Sequence, residues 1–480
     1  MSRCIPCPWS THVTTATLGP RARLSLSSTA APPRLRPLHR PRSRPRIPVE
    51  TLEHARYVSD VQQFRTRHGN VKLNLKAKGA VGIAQSRGER AYQEDAYLVS
   101  SVSIPVAALK RNVVTDRLGA GWNPTELEGF EGEVPSTAAE EGEGEVEVEA
   151  RQERRLEGTR TGEEPETLRQ VAMFGVFDGH GGSQVSKFLR SRLSSLVEQA
   201  TSSSIPRTID SYRQLGGYLK RYQGGPLERF REGSDVYQPG VLGRGMALDE
   251  MSVLAFLQAD NAVLADDKTN NSGSTATVAF LHSLDLPHSL PYYASSLLSL
   301  TIAHLGDTSL VLASSGSGRA RRLTEPHHGD SRVEGERLRT SGTGIVTDSF
   351  GETRWGGTLA NTRGIGDREF KSLGVIGEPE VSKRVLKGED WSFLVLASDG
   401  ITDVMSDQEI VDLTRGHKDP NVAAKKIVGF AEDVGGEDNM TCLVVPLPGW
   451  AKMGGMDTTA DRREYRLRQF NSSSRRQKRM

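Results

Sequence analysis

The chain is poor in cysteine, with three in 480 residues. Cys4 and Cys7 fall in a leader segment expected to be removed, which leaves Cys442 alone. A disulfide framework is therefore excluded in practice, and a reducing compartment fits. Cys4 and Cys7 have the spacing of half a zinc site but lack the other half, whereas a structural zinc needs four ligands. No uninterrupted apolar run reaches the roughly 20 residues a bilayer crossing requires, so no membrane span is expected. Acidic residues are missing altogether before Glu50, while Arg3, Arg21, Arg23, Arg34, Arg36, Arg40, Arg42, Arg44 and Arg46 crowd the same stretch. An Arg-rich, Ser-rich, acid-free start is the composition of a mitochondrial transit peptide. Residues 1–50 are read as such a leader, with the matrix as destination and the cytoplasm as alternative. The blander reading is a basic tail that touches nucleic acid, but no recognised nucleic-acid module accompanies it.

Hydrophobic residues make up 36% of the chain and charged residues 25%, and the net charge is only +2. That balance suits a soluble protein carrying flexible segments and singles out no partner. Residues 80–86 and 96–103 read as short strands. From 124 to 168 the text turns Glu-rich, as in Glu140-Glu141-Gly142-Glu143, with too few large apolar residues to offset ordering entropy. That stretch is read as a disordered acidic insertion between two strands of one domain. Val171–Phe177 is a continuous apolar run of buried-strand length, and Val185, Phe188, Leu189, Leu193 and Leu196 share one helical face. A second helix is read from Ala247 to Ala265, strands at 275–281, 299–313, 391–397 and 440–445, and helices at 407–413 and 422–431. The tail, 451–480, is basic and polar and is read as disordered. No internal repeat is seen.

Three apolar strands end in an aspartate beside a permissive turn: Phe177-Asp178-Gly179-His180, Leu305-Gly306-Asp307 and Ser398-Asp399-Gly400. Gly436-Glu437-Asp438-Asn439 precedes the last strand, and Arg90-Ala91-Tyr92-Gln93-Glu94-Asp95 opens the domain. Carboxylates delivered from strand ends suit hard cations such as magnesium or manganese. An isolated Asp-Gly is far more often a turn than a ligand. The set in order, with an arginine and a histidine nearby, reverses those odds.

The series resembles the PPM family, the PP2C-type protein phosphatases, across nearly all of residues 80–446. Arg90 to Asp95 resembles the family's first motif, and Asp178-Gly179-His180-Gly181-Gly182 reproduces its Asp-Gly-His-Gly-Gly motif in full. Gly273-Ser274-Thr275-Ala276, Gly306-Asp307, Thr362-Arg363-Gly364-Ile365-Gly366-Asp367, Leu396 to Asp403 and Asp438-Asn439 follow in order. The resemblance implies an α+β fold: a four-layer α/β/β/α sandwich with two central antiparallel sheets and the metals at one end. It implies two divalent cations, Mg2+ or Mn2+, with a third at Asp307. Asp178 would bridge the pair, the carbonyl of Gly179 would join the second ion, and Asp399 and Asp438 would hold the first. Glu94 would act through bound water and Asp95 would orient the shell. Such a pair lowers the pKa of a bridging water that attacks phosphorus in line. Arg90 would grip the phosphate and His180 would protonate the departing Ser or Thr oxygen.

The resemblance has departures. Thr308-Ser309 follows Asp307 where the family has Ser-Arg, and Pro326-His327-His328 stands where an acidic residue often precedes a histidine. Gly342 to Gly357 resembles the mobile flap, and Trp355 to Arg363 is similar to a fungal mitochondrial branch. The expected partners are phosphorylated Ser/Thr proteins, with subunits of the pyruvate dehydrogenase complex as the suggested substrate, and the expected state is a monomer. A catalytically silent binding or scaffold protein is the competing reading; retention of Arg90, Asp178, His180, Asp399 and Asp438 favours the enzyme.

Overall fold

Apolar runs such as Val171–Phe177 have no polar alternation because both faces of the strand are covered, and the covering layers can be read residue by residue. The computed structural model describes residues 60–66, 69–118, 168–234, 237, 245–285, 290–339, 345–347, 353–355 and 361–477. The leader at 1–50, nearly all of the acidic stretch at 124–168, and most of the flap segment lie outside the described residues.

In chain order the described part begins with β1 (Val61–Thr66), β2 (Gly69–Asn74), β3 (Gly82–Ser86), β4 (Ala96–Pro105) and α1 (Val106–Leu118). There follow β5 (Leu168–His180), α2 (Gln184–Glu198), α3 (Ile205–Gln214), α4 (Leu248–Ala265), β6 (Gly273–Ser283) and β7 (Leu297–Leu305). Next come β8 (Ser309–Ser314), β9 (Ala320–Arg322), α5 (Arg332–Leu338), β10 (Ile345–Thr347), β11 (Thr353–Trp355), β12 (Ile365–Gly366) and α6 (Arg368–Lys371). The last are β13 (Glu380–Lys387), β14 (Trp391–Ala397), α7 (Asp399–Thr402), α8 (Asp407–Leu413), α9 (Pro420–Asp433), β15 (Met440–Pro446) and α10 (Ala460–Gln477).

Two antiparallel sheets face each other. The first runs β13-β7-β6-β5-β4, with β12 added on β6, and the second runs β3-β15-β14-β8-β9. On β5, Phe174 and Val176 point between the sheets towards Leu312, Leu394 and Leu443. The alternate residues Met173 and Phe177 point outward, against Leu189 and Leu193 of α2 and Leu254 and Leu257 of α4. On β14 the same period of two sends Leu394 and Leu396 inward. Phe393 and Val395 turn out to Ile410 of α8 and to Ile427 and Val428 of α9. Side chains alternate across a strand, so a strand buried on both faces must be apolar throughout. The result is the expected α+β fold, a four-layer α/β/β/α sandwich with three apolar interlayers.

Local signals explain several boundaries. Asp419 caps α9 by accepting the Asn421 N–H at 2.9 Å, with Pro420 next, where the lost amide costs nothing. In α2, Val185, Leu189, Leu193 and Val197 recur every four residues and form its buried stripe.

The structure departs from the sequence reading at the C-terminal tail. The tail expected to be disordered instead forms α10 from Ala460 to Gln477. Its physical reason lies in the body of the domain, where Glu409 and Asp412 are buried and need partners. Arg462 and Arg466 reach Glu409 at 3.0 and 3.1 Å. Thr458 N–H and the Thr459 hydroxyl donate to Asp412 at 3.0 and 2.9 Å. Leu467 packs on the outer interlayer. Folded structure also begins before residue 80, with the β1–β2 hairpin and the fully buried Leu75. Among the described residues no helix is long and apolar enough to cross a membrane.

Candidate metal centre and active site

The two sheets deliver their acidic residues to one end of the sandwich. Asp178 lies near the C-terminal end of β5, Asp307 in the turn from β7 in one sheet to β8 in the other, and Asp399 begins α7 just after β14. Carboxylate oxygens of these three residues all lie within 4.8 Å of one another. Asp178 Oδ2 and Asp95 Oδ1 are shut from solvent without a hydrogen-bond partner. The other oxygen of Asp95 accepts the Thr441 hydroxyl at 2.8 Å.

Like charges drawn together out of water resist ionisation. Burial, reinforced by Asp399, Asp95 and Asp307, pushes the Asp178 carboxyl well above its ordinary range. Burial and Asp307 push Asp399 up to about 7, and burial, with a contribution from Asp438, raises Asp95 to about 6. Asp307 goes the other way: burial opposes its charge, but His328 and Asn361 hold it below the usual carboxylate value. Asn361 Nδ2 donates to it at 2.7 Å, and His328 Nε2 lies 3.7 Å away. An all-oxygen set with unsatisfied buried carboxylate oxygens fits a hard divalent cation, which would discharge the repulsion.

Asp438 sits just outside this trio. Its partner is Arg90, whose Nη2 lies 2.5 Å from Asp438 Oδ2 while the guanidinium stays more than half exposed. The arginine expected on the phosphate is thus at the site but turned onto an expected metal ligand. Glu94 is placed by its backbone, its N–H donating to Asn439 Oδ1 at 2.7 Å. Gly179 passes so near that segment that a Cβ would lie 2.4 Å from the Glu94 carbonyl oxygen. Only glycine fits against that backbone there.

His180 ends β5 with Nε2 2.8 Å from Asp367 Oδ1. Burial alone favours the neutral ring, but the Asp367 carboxylate, helped by Asp307 and Glu94, holds its pKa above the ordinary value.

Sequence reading gave no role to two residues that organise this end of the molecule. Asn439 is buried, and its Nδ2 donates to the Arg87 and Tyr92 carbonyls at 2.9 and 3.0 Å, tying the Arg90 loop to the Asp438 loop. Asp367 is the other. Each was visible only as the end of a motif, Asp438-Asn439 and Gly366-Asp367.

The family model described as protein phosphatase 2C matches residues 238–440. Protein phosphatase 2C homolog 4 of Schizosaccharomyces pombe is 37% identical over 296 residues, covering 60% of this chain and 74% of its own length. The chain belongs to the protein phosphatase 2C family. Its class is accordingly that of a protein serine/threonine phosphatase. "Protein phosphatase 1K, mitochondrial" of Xenopus laevis is 29% identical over 288 residues, 59% of this chain and 62% of that relative. Among solved structures, a serine-threonine phosphatase 2C from Toxoplasma gondii aligns over 76% of this chain and 94% of its own, at 17% identity and a TM-score of 0.44.

Proposed function

We propose that this phosphatase hydrolyses phosphoserine and phosphothreonine esters of proteins at the Asp178–Asp307–Asp399 cluster. The observation that carries the reading is the packing of three carboxylates within 4.8 Å, with Asp178 Oδ2 orphaned and buried. Asp178, Asp399 and Asp438, with the Gly179 carbonyl, would hold two ions, Mg2+ or Mn2+. Glu94 and Asp95 would order their water shell, and Asp307 would serve a third. Bound divalent cations would supply the Lewis acidity that makes water a competent nucleophile at neutral pH. The chain's own groups do the rest. Arg90, which now pairs with Asp438, would present its planar fork to the phosphate when that carboxylate holds a cation. His180, at the rim of the cluster, gives its proton to the leaving oxygen.

Titration of metal-free protein with Mn2+, read by electron paramagnetic resonance, tests the ion count. At least two ions per chain are expected, against at most one in the Asp399→Asn variant. Unchanged stoichiometry in that variant would remove the cluster from the reading.

Mitochondrial phosphoproteins are the proposed substrates. Support comes from the acid-free, Arg-rich residues 1–50 and from the name of the Xenopus relative. A reporter fused behind residues 1–50 should enter mitochondria, and its retention in the cytosol would count against the proposal.

A further inference from the structure

A second buried charge cluster lies beside the metal centre, under the loop that follows Arg363. Lys371 and Asp260 are almost fully buried, with Nζ 2.7 Å from Asp260 Oδ2. Lys371 Nζ also donates to the Gly364 carbonyl at 2.8 Å, and the Gly366 N–H donates to Asp260 Oδ1 at 2.8 Å. The Tyr212 hydroxyl donates to the same carboxylate. The loop is thus gripped at both Gly364 and Gly366, and the next residue is Asp367.

Asp367 occupies the left-handed region, with φ of 51°. It precedes the short helix α6, yet its side chain makes no capping bond to that helix. Its carboxylate is turned the opposite way, onto His180 Nε2 at 2.8 Å. Space for the pair comes from Gly273, where a Cβ would lie 2.4 Å from both Asp367 oxygens and from His180 Nε2. A cap, the ordinary reason for an aspartate here, is therefore not what this one does.

We infer that Asp367 is a positioning residue for leaving-group protonation, holding the His180 ring by Nε2 in the pose from which it serves the departing oxygen. This rests on the reading of His180 as the general acid. In the step concerned, a water oxygen bonds to phosphorus and the bond from phosphorus to the Ser or Thr oxygen breaks. The electron pair stays on that oxygen, which takes the Nδ1 proton of the His180 imidazolium and leaves as the alcohol, while the Nε2 proton stays in its hydrogen bond to Asp367. The proton lost by the water returns to solvent, and solvent reprotonates the ring.

The test uses the full chain with Mn2+ and two substrates: a phosphothreonine peptide, whose alkoxide needs a proton, and p-nitrophenyl phosphate, whose phenolate leaves without one. Asp367→Asn and Asp367→Gly are both suited to a left-handed residue, so neither strains the backbone. Each is expected to lower kcat on the peptide by about 10–100-fold with KM unchanged, and to change the aryl phosphate rate by less than about threefold. His180→Ala should show the same split, and the double variant should be no worse than His180→Ala alone. If His180→Ala shows the split and the Asp367 variants slow both substrates equally, or if the two losses add, the inference falls by itself. If His180→Ala shows no split, the general-acid reading falls and takes the inference with it.

Discussion

Lys371→Met is expected to destabilise the domain by about 3–5 kcal/mol, because it strands a buried carboxylate. Asp260 and Lys371 are exposed at 0% and 1% in their side chains and lie 2.7 Å apart. Methionine fills the volume but leaves Asp260 with only the Tyr212 hydroxyl and the Gly366 amide as donors. Burial already holds the Asp260 carboxyl above its ordinary pKa with the lysine present. Without the cation it must take up a proton or bear an unpaired charge in a dry site. A fall in Tm of about 5–10 °C is the corresponding calorimetric signal. Adding Asp260→Asn should recover much of the loss, since no net charge then remains buried. A single-variant loss under about 1 kcal/mol would mean that solvent reaches the pair.

The second large effect concerns Asp178, where stability and activity should move in opposite directions. Asp178→Asn should lower phosphate release about a thousandfold or more, given that one lost electrostatic contact in an active site already costs 10²–10³. The same change should stabilise the metal-free protein by about 1–2 kcal/mol at pH 7, a modest figure because solvent reaches the mouth of the site. The sign follows from the raised pKa of Asp178. At pH 7 the unfolded carboxyl is ionised while the folded one resists ionisation, so the native aspartate costs stability. Below the unfolded value near 4 both states are protonated, and the gain from asparagine disappears. Thermal scans in chelator at pH 7 and pH 3 check this. Equal Tm for both proteins at pH 7 would show that the cluster stores no repulsion.

What the sequence made legible were features set by a strand's own residues. Val171–Phe177 and Trp391–Ala397 stood out because both faces are buried, and Asp178 and Asp399 stood out because they end those strands. Segments whose order depends on distant partners did not. β13, Glu380–Lys387, is a charged edge strand buried at little more than Leu386, so it carries no apolar pattern. The run from 299 to 313 is two strands folded at Gly306 and Asp307, since apolar residues on either side of a tight turn read as continuous. α10 owes its place to Glu409 and Asp412, about fifty residues upstream. The contact between His180 and Asp367 joins residues 187 positions apart, and the pairing of Arg90 with Asp438 joins residues 348 apart. Neither could be read from spacing.

Release of phosphate from a phosphothreonine peptide, measured for wild-type chain and Asp178→Asn with Mn2+, with Mg2+ and with chelator, tests the whole account most directly. Turnover by the wild type with either metal, none in chelator, and a loss of about a thousandfold in the variant is the predicted result. Turnover that survives the chelator, or that survives loss of Asp178 in folded protein, would contradict the assignment of the carboxylate cluster as the seat of catalysis.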